Sequence, residues 1–423
     1  MENKIRKLNI ITNNTGAFHI YVYVPAGSIY EWDSVSGCSH MLEHMLFKNK
    51  GEESYNLSKS LTSIGAAYNA ATYKDVTYYY VKTHSTNYVK AIVLMKQLIK
   101  NLTFTEQDLN TERKVIIEEY NQSNDNFDKS FFTLANKSIM GDHNIYSKSV
   151  IGELKVLKNI STRELKKYYK ARYNDIVVVV NCDSKIKQGV QRLLKKMFGK
   201  NDEYVLNDDK LLASANLIEP KLIFINKQYS QYVTRLSFAT FPASQARDHI
   251  ILSFLQYCLT GSGLFSLLNH DIREIRGLVY TIHSYSEAFR FTGFYYIQLG
   301  SSSNKTDYII SLVMNIITKM KKHGLPMKVL SFYKESYISS IKLRLLDEDF
   351  RSEKQGSEFF YGSHIGDKEL LKIINNISTE DVVNVSRLAF DFDRMGVISV
   401  GSYSNVDKMS VDVQDIIESY KTP

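Results

Sequence analysis

Cysteine is scarce in this chain of 423 residues, which contains three: Cys38, Cys182 and Cys258. They form no CxxC pair, so the sequence lacks both a disulfide framework and the spacing of a cysteine-ligated zinc site. Cys38 precedes His40 by two residues but has no partner at ligand spacing, and we interpret it as a small buried hydrophobe.

Long apolar runs are also missing. The absence of any stretch of 18 apolar residues argues against a transmembrane helix. Residues 1–14 lack an apolar core and carry Glu2 and a single arginine, so they predict neither a signal peptide nor a transit peptide. With so little cysteine, we expect an intracellular, cytoplasmic protein without a membrane partner.

The charge is moderately basic, with a net charge of +8 and a pI of about 9.0. This balance permits an acidic partner, and a basic nucleic-acid binder is one alternative. The lysines are scattered, however, with small clusters only at residues 195–196 and 319–322, as is typical of solvated helix faces. We therefore expect no nucleic-acid partner. Hydrophobic residues at 44% and charged residues at 23% are typical of soluble globular proteins.

The most informative feature that is present is the run His40-Met41-Leu42-Glu43-His44. In a helix, positions i, i+3 and i+4 share one face, so both imidazoles can bind one metal ion with the Glu43 carboxylate beside it. Two histidines suit a catalytic zinc ion, which keeps one position open for water. Glu43 then fits the role of general base. The alternative is a helix with two histidines on a half-buried face.

A catalytic zinc ion needs a third protein ligand, and the segment 112–120 offers one. Glu112 and Glu119 are seven residues apart, which places them two turns along one helix face. Glu118 points about 100° away and is interpreted as solvated. We predict Glu119 as the ligand and Glu112 as the residue that orients a ligating histidine. The alternative is a charged surface helix.

The chain contains an internal sequence repeat. Asn159-Ile160-Ser161-Thr162 recurs 217 residues later as residues 376–379, and each copy opens a predicted helix that leads to an apolar strand. A second pair of landmarks, residues 64–68 and 276–280, has an offset of 212. Two pairs of similar segments in the same order predict a duplication. Each half mixes helices with antiparallel strands, so the predicted class is α+β.

The domain prediction follows from the duplication and from a polar stretch that ends at Pro220. We predict an N-terminal zinc-binding domain over residues 1–205, a linker over 206–219 and a homologous C-terminal domain over 220–423.

These residues resemble the pitrilysin (insulinase) family of zinc peptidases, the inverzincins. Within it, the chain is most similar to the group of the mitochondrial processing peptidase beta subunit and its bacterial relatives. The similarity covers essentially the whole chain and rests on four signatures in order. These are His-x-x-Glu-His at 40–44, Glu-Arg-x-Val-Ile-x-x-Glu at 112–119, Asn-Ala-x-Thr at 69–72 and Arg-Glu-x-x-Gly-Leu-x-Tyr at 273–280.

The resemblance implies a specific architecture and activity. It implies two α/β rolls that form a clamshell, one zinc ion per chain in the first roll, and cleavage of short or unfolded peptides or processing segments. It implies that Asn69 and Ala70 hold the substrate peptide as an added strand. It also implies that Arg273 and Tyr280 of one chain hold substrate and oxyanion over the zinc ion of a facing chain, so the expected partner is a second copy or an inactive homologue.

Two positions depart from the family pattern. Asn49 stands where relatives have Gly, and Leu267 stands where many have a polar or basic residue; both bear on substrate preference. The alternative function is that of a non-catalytic structural or partner subunit with the same fold, although all of the motif residues are present.

Overall fold

The computed structural model describes residues 4–48, 54–100, 102–200, 209–302 and 304–421. The strands are β1 Lys4–Asn13, β2 Ala17–Val24, β3 Ala67–Thr72, β4 Thr77–His84, β5 Asp175–Asp183, β6 Gly199–Lys200, β7 Leu222–Asn226, β8 Tyr232–Thr240, β9 Thr281–Ala288, β10 Gly293–Ser301 and β11 Met395–Gly401. The helices are α1 Cys38–Phe47, α2 Ser54–Ser63, α3 Tyr88–Ile99, α4 Glu106–Asp125, α5 Phe127–Met140, α6 Leu154–Leu157, α7 Thr162–Arg172, α8 Lys187–Met197, α9 Asp209–Ala215, α10 Ala246–Gln256, α11 Thr306–His323, α12 Met327–Arg344, α13 Glu348–Tyr361, α14 Asp367–Asn375, α15 Thr379–Ala389 and α16 Val406–Lys421.

The strands form two sheets with the same internal order. The first is β3-β4-β2-β5-β1-β6 and the second is β9-β10-β8-β11-β7, so five strands of one sheet have counterparts in the other. The two Asn-Ile-Ser-Thr repeats stand at the starts of α7 and α15. Both helices begin with a capping box, formed by Ser161 with Glu164 and by Ser378 with Asp381. The predicted α+β class and duplication are confirmed.

The sheets differ from the prediction in one respect, because they are mixed rather than purely antiparallel. In the first sheet β1 pairs in parallel with β5 and β6, and in the second sheet β7 pairs in parallel with β11. The remaining pairs are antiparallel. Parallel neighbours need a long crossover connection, and more than 150 residues separate β1 from β5 and β7 from β11.

The chain divides into two compact units whose limits differ from the predicted contiguous domains. The first unit comprises Met1–Ser130, Lys148–Leu211 and Leu346–His364, and the second comprises Phe131–Ser147, Leu212–Leu345 and Ile365–Pro423. Most of α5 therefore belongs to the second unit, and α13 belongs to the first. Of the predicted linker over 206–219, residues 206–208 lie outside the described residues, and α9 occupies part of the remainder.

Helix α13 belongs to the first unit because it covers one face of that unit's sheet. Tyr21 and Tyr23 of β2 lie on this face, and the ring centroids of Tyr23 and Phe360 are 6.2 Å apart. Gly356 allows the close approach, since a Cβ atom there would lie 2.0 Å from the Tyr23 hydroxyl oxygen. The amide of Asn181 also donates to Glu348 at 2.6 Å. This face needs a cover because its aromatic side chains are otherwise open to water.

Helix α5 has the matching position in the second unit. Its Phe131 and Phe132 rings pack on the Arg235 guanidinium of β8, at 5.4 and 4.9 Å from ring centroid to Cζ. The carbonyl of Ser138 accepts a hydrogen bond from the backbone N–H of Lys221 at 2.7 Å. α5 and α13 are thus exchanged, because each packs mainly in the unit formed by the other half of the chain. A sequence pattern identifies an amphipathic helix but not the sheet that it covers, so the predicted boundaries did not include this exchange.

The opposite face of each sheet carries the main apolar core of its unit. In the first unit this core includes Phe18, Ile20 and Val22 of β2 together with Met41, Leu42, Met45 and Leu46 of α1. Among the described residues, no helix combines the length and apolarity needed to cross a membrane.

Candidate metal centre

Helix α1 carries the His-x-x-Glu-His run and is fixed by its apolar side. Met41, Leu42, Met45 and Leu46 are fully buried, whereas His40, Glu43 and His44 are only partly buried. Because the apolar residues recur at helical spacing, one face of α1 packs into the core and the three polar side chains lie together on the other face.

Helix α4 supplies the two predicted acidic residues. It begins with a capping box between Thr105 and Asp108, and Leu109 and Ile116 are buried. Glu112 is 5% exposed, Glu119 is half-buried and Glu118 is exposed. The two-turn spacing therefore places Glu112 and Glu119 on the side of α4 that packs in the first unit, and Glu118 in solvent, as predicted.

His40, His44 and Glu119 converge. One ligand atom from each of the three residues lies within 4.8 Å of the others. The Nε2 atoms of His40 and His44 lie 3.7 and 3.8 Å from Glu119 Oε2. Two ligand atoms that share a tetrahedral zinc ion at about 2.1 Å lie about 3.4 Å apart, so this donor set fits zinc. Within the described part of the chain, this is the one such cluster of three or more His, Cys, Asp or Glu residues.

Burial supports this fit at His40. Desolvation, with a smaller contribution from His44, lowers the pKa of His40 to about 4, so its imidazole is neutral at pH 7. A neutral imidazole is the form that binds a metal ion. The Nδ1 atom of His40 is buried without a hydrogen-bond partner.

Glu112 connects His44 to a lysine. Its Oε2 lies 3.2 Å from Nδ1 of His44, and its Oε1 lies 3.0 Å from Nζ of Lys48. The carboxylate therefore fixes the ring orientation of His44, with Nε2 directed toward Glu119, while Lys48 balances a charge that is almost fully buried. This is the position predicted for Glu112.

Glu43 lies beside the cluster and is held by a residue of β3. The Thr72 hydroxyl donates to Glu43 Oε2 at 2.5 Å. Burial raises the pKa of the Glu43 carboxyl, and the hydrogen bond from Thr72 opposes this shift. A carboxylate whose affinity for a proton is increased in this way suits a general base.

Strand β3 forms one edge of the first sheet as far as the structure describes it. Asn69 is exposed and Ala70 is 8% exposed, so the two residues face opposite sides of the strand. An edge strand presents backbone N–H and C=O groups to which another chain can pair.

Arg273 and Tyr280 lie in the second unit. Arg273 lies in a π-helical turn, Asn269–Ile275, and its Nε is 3.6 Å from Glu274 Oε1. Tyr280 is 41% exposed, and its hydroxyl donates to Gln231 at 2.5 Å. Burial raises the pKa of Tyr280. Short π-helical segments are frequent at functional sites. The roles predicted for both residues stay predictions.

Two contacts of the centre were missed by the sequence reasoning. The sequence pattern gives Lys48 no role, and it includes Thr72 only as part of the Asn-Ala-x-Thr run. Lys48 lies four residues after His44, and this helical spacing is a signal for a shared face. Thr72 has no such signal, because its contact with Glu43 depends on the packing of β3 against α1.

Both halves of the chain match family descriptions. A family described as "Insulinase (Peptidase family M16)" matches residues 9–150, and one described as "Peptidase M16 inactive domain" matches residues 159–337. The metal cluster lies within the first of these matches.

Curated relatives cover nearly the full chain. The uncharacterized zinc protease YmxG of Bacillus subtilis is 25% identical over 378 residues, which are 88% of this chain and 90% of that protein. An uncharacterized zinc protease of Rickettsia felis is 26% identical over 397 residues, with coverage of 90% and 93%.

Solved structures share the fold. A protease from Helicobacter pylori superimposes with a TM-score of 0.79 at 20% identity and covers 93% of this chain and 96% of its own. A peptidase M16 inactive domain from Pseudomonas fluorescens gives a TM-score of 0.80 at 18% identity, with coverage of 94% and 96%.

Proposed function

The chain belongs to the insulinase family of peptidases, M16, and from that premise we propose that it is a zinc-dependent endopeptidase that cuts short or unfolded peptides. The observation that carries the proposal is the convergence of His40, His44 and Glu119 within 4.8 Å of one another. Glu43 and its partner Thr72 lie beside these ligands. A scaffold subunit has no need for such a set of converging polar groups.

The proposed mechanism assigns a task to each residue. His40, His44 and Glu119 would hold a zinc ion, which when bound would act as a Lewis acid and would lower the pKa of a water molecule to about 7. Glu43 accepts the proton of the attacking water and transfers it to the amine nitrogen of the leaving peptide. Glu112 and Lys48 keep the His44 ring in its ligating orientation.

We predict that Thr72→Val lowers kcat by roughly tenfold and changes KM little. The valine is similar in shape but leaves Glu43 without the hydroxyl that orients it, and a hydrogen bond to a charged group contributes about 1.5–3 kcal/mol. Steady-state kinetics on a fluorogenic peptide measure the effect. Thr72→Ser is the matched control, because it keeps the hydroxyl and should restore most of kcat. Equal kcat values for Thr72→Val and the wild type would exclude this role.

Strand β3 is the proposed site for the substrate backbone. Asn69 and Ala70 lie on this edge strand, to which an extended peptide can add through main-chain hydrogen bonds that read little of the sequence. Thr72 is on the same strand and contacts Glu43. The strand that would bind the peptide therefore also carries the residue that holds the base.

We further propose that two copies of the chain form the working unit, with Arg273 and Tyr280 of one copy acting on peptide at the metal centre of the other. The family resemblance motivates this arrangement, and the exposed side chains of both residues suit it. Donors placed at a developing oxyanion contribute about 3 kcal/mol each. An inactive homologue as partner is the alternative.

Mixing two inactive variants tests this pairing. If the site is shared, Glu43→Gln and Arg273→Ala chains should regain activity when mixed, since one site of each mixed dimer is intact. Random pairing predicts about a quarter of the wild-type rate. Peptide cleavage is measured before and after subunit exchange, which native mass spectrometry verifies. Complete exchange without recovered activity would exclude sharing between two copies.

Zinc content and peptide cleavage of the purified wild type test the function as a whole. We expect about one zinc ion per chain and cleavage of an unstructured peptide library that chelation abolishes and zinc restores. Zinc without turnover would favour the non-catalytic or partner-dependent alternative, and a chain without zinc would refute the ligand assignment.

A further inference from the structure

A buried carboxylate anchors the first turn of the helix that carries both histidines. Glu31 is 3% exposed, and it precedes α1 by seven residues. Its Oε2 accepts a hydrogen bond from the backbone N–H of Gly37, and its Oε1 accepts one from the backbone N–H of Ser39, both at 2.7 Å. Ser39 is the residue immediately before His40.

Helix α1 needs this anchor because its own cap residue has no side chain. The first N–H groups of a helix have no partner within it, and a Ser, Thr, Asp or Asn side chain at the cap normally satisfies one of them. The cap of α1 is Gly37, in the left-handed region with φ of 88°. A side chain does not fit there, since a Cβ atom would lie 2.6 Å from the carbonyl oxygen of Ile151.

Glu31 supplies the missing acceptor from the preceding loop. The carboxylate also lies at the positive end of the helix dipole, where a negative charge is stabilised. Hydrogen bonds from two N–H groups to a carboxylate are stronger than neutral ones and hold both its oxygen atoms in place. Burial raises the pKa of Glu31, and the N–H groups of Ser39 and Gly37, with Lys148, oppose that shift.

The anchor is itself held in place. The ammonium group of Lys148 donates to the backbone carbonyl of Glu31 at 2.6 Å. The Ser39 and Tyr168 hydroxyls are 2.8 Å apart, and the Tyr168 hydroxyl donates to the carbonyl of Gly27 at 3.2 Å. Glu31 and Tyr168 therefore both hold Ser39, one residue before a predicted metal ligand.

We propose that Glu31 is a positioning residue of the metal centre: it fixes the first turn of α1 and thereby the direction in which His40 and His44 present their imidazoles. This inference rests on the proposed zinc-binding function. A role confined to fold stability makes a different prediction, because loss of a cap destabilises any helix, whereas loss of a positioning residue acts on metal affinity.

The test is Glu31→Gln, which keeps the size of the side chain but presents an NH₂ group to one of two N–H donors. We expect the zinc dissociation constant to rise by roughly 10- to 100-fold, as for other groups that orient metal ligands. Competition with a chromophoric chelator measures it, at a temperature where circular dichroism shows both proteins folded. The visible absorption of the cobalt-substituted protein should also change, because ligand geometry determines it.

Asp381→Asn is the matched control. Asp381 accepts from the backbone N–H and hydroxyl of Ser378 at 2.9 and 2.8 Å at the start of α15, a helix of the second unit that carries no residue of the centre. It should lower thermal stability while zinc affinity stays within about twofold of the wild type. Equal losses of zinc affinity in both variants, or unchanged affinity in Glu31→Gln, would overturn the proposal.

Glu31→Asp covers the case in which Glu31→Gln does not fold. It keeps the charge but withdraws the carboxylate by one methylene, so we expect an intermediate loss of zinc affinity and faster hydrogen exchange at Gly37 and Ser39. Wild-type affinity in a folded Glu31→Asp variant would refute the inference. A wild-type chain that binds no zinc would instead refute the proposed function, so the two failures are distinguishable.

Discussion

Replacement of Glu43 by glutamine should leave about one zinc ion on each chain and lower peptide turnover by about a hundred- to ten-thousandfold, the contribution of a well-placed general base. Glutamine matches the size of Glu43, and its amide oxygen can still accept from the Thr72 hydroxyl, so the local packing is preserved. The amide does not take up a proton at neutral pH, and proton transfer from the attacking water is lost.

The zinc content of Glu43→Gln is the internal control. Glu43 is not among the three converging ligand residues, so metal binding should not change. Measurement combines elemental analysis with single-turnover cleavage at high protein concentration. Turnover above about a tenth of the wild-type rate would remove Glu43 from the role of base, and loss of zinc would make it a ligand or a structural residue instead.

Glu119→Gln should lose both zinc and activity, whereas Glu43→Gln should lose activity but keep its zinc. Glu119 Oε2 is the atom that both imidazole Nε2 atoms approach, and a neutral amide is a far weaker ligand for zinc than a carboxylate. Since loss of an orienting residue alone costs 10- to 100-fold in affinity, we expect loss of a direct ligand to exceed about a hundredfold.

Glu118→Gln is the natural comparison for this variant. It removes the same charge from the next residue of α4, but Glu118 is exposed and points about 100° away from Glu119. Its zinc affinity should stay within about twofold of the wild type, as measured by the same chelator competition. A Glu118→Gln variant that loses zinc, or a Glu119→Gln variant that keeps it, would contradict the assignment of the third ligand.

The parts of the centre that the sequence predicts are those set by helix geometry. His40, Glu43 and His44 share a face because of their spacing, and Glu112 and Glu119 do so on α4. These relations hold within one helix and need no knowledge of the fold. The two Asn-Ile-Ser-Thr repeats, whose Ser161 and Ser378 form capping boxes, are local in the same sense, and they correctly predicted the duplication.

The parts that sequence reasoning missed depend on contacts between elements. Thr72 meets Glu43 only because β3 packs against α1, and Glu31 reaches the start of α1 only because Gly37 adopts a left-handed conformation. A carboxylate six residues before a glycine cap matches no capping pattern. The parallel edge pairs and the exchange of α5 and α13 also depend on long-range packing, which periodicity does not encode.

The exchange of α13 has a consequence for how the protein is made. Synthesis runs from the N-terminus, and the first unit includes Leu346–His364. Until that segment has left the ribosome, the nascent chain holds the metal-binding residues and the first sheet without the helix that covers Tyr21 and Tyr23. The whole of 212–345 is made in the meantime. The metal-binding half therefore completes its fold only after most of the other half has been translated.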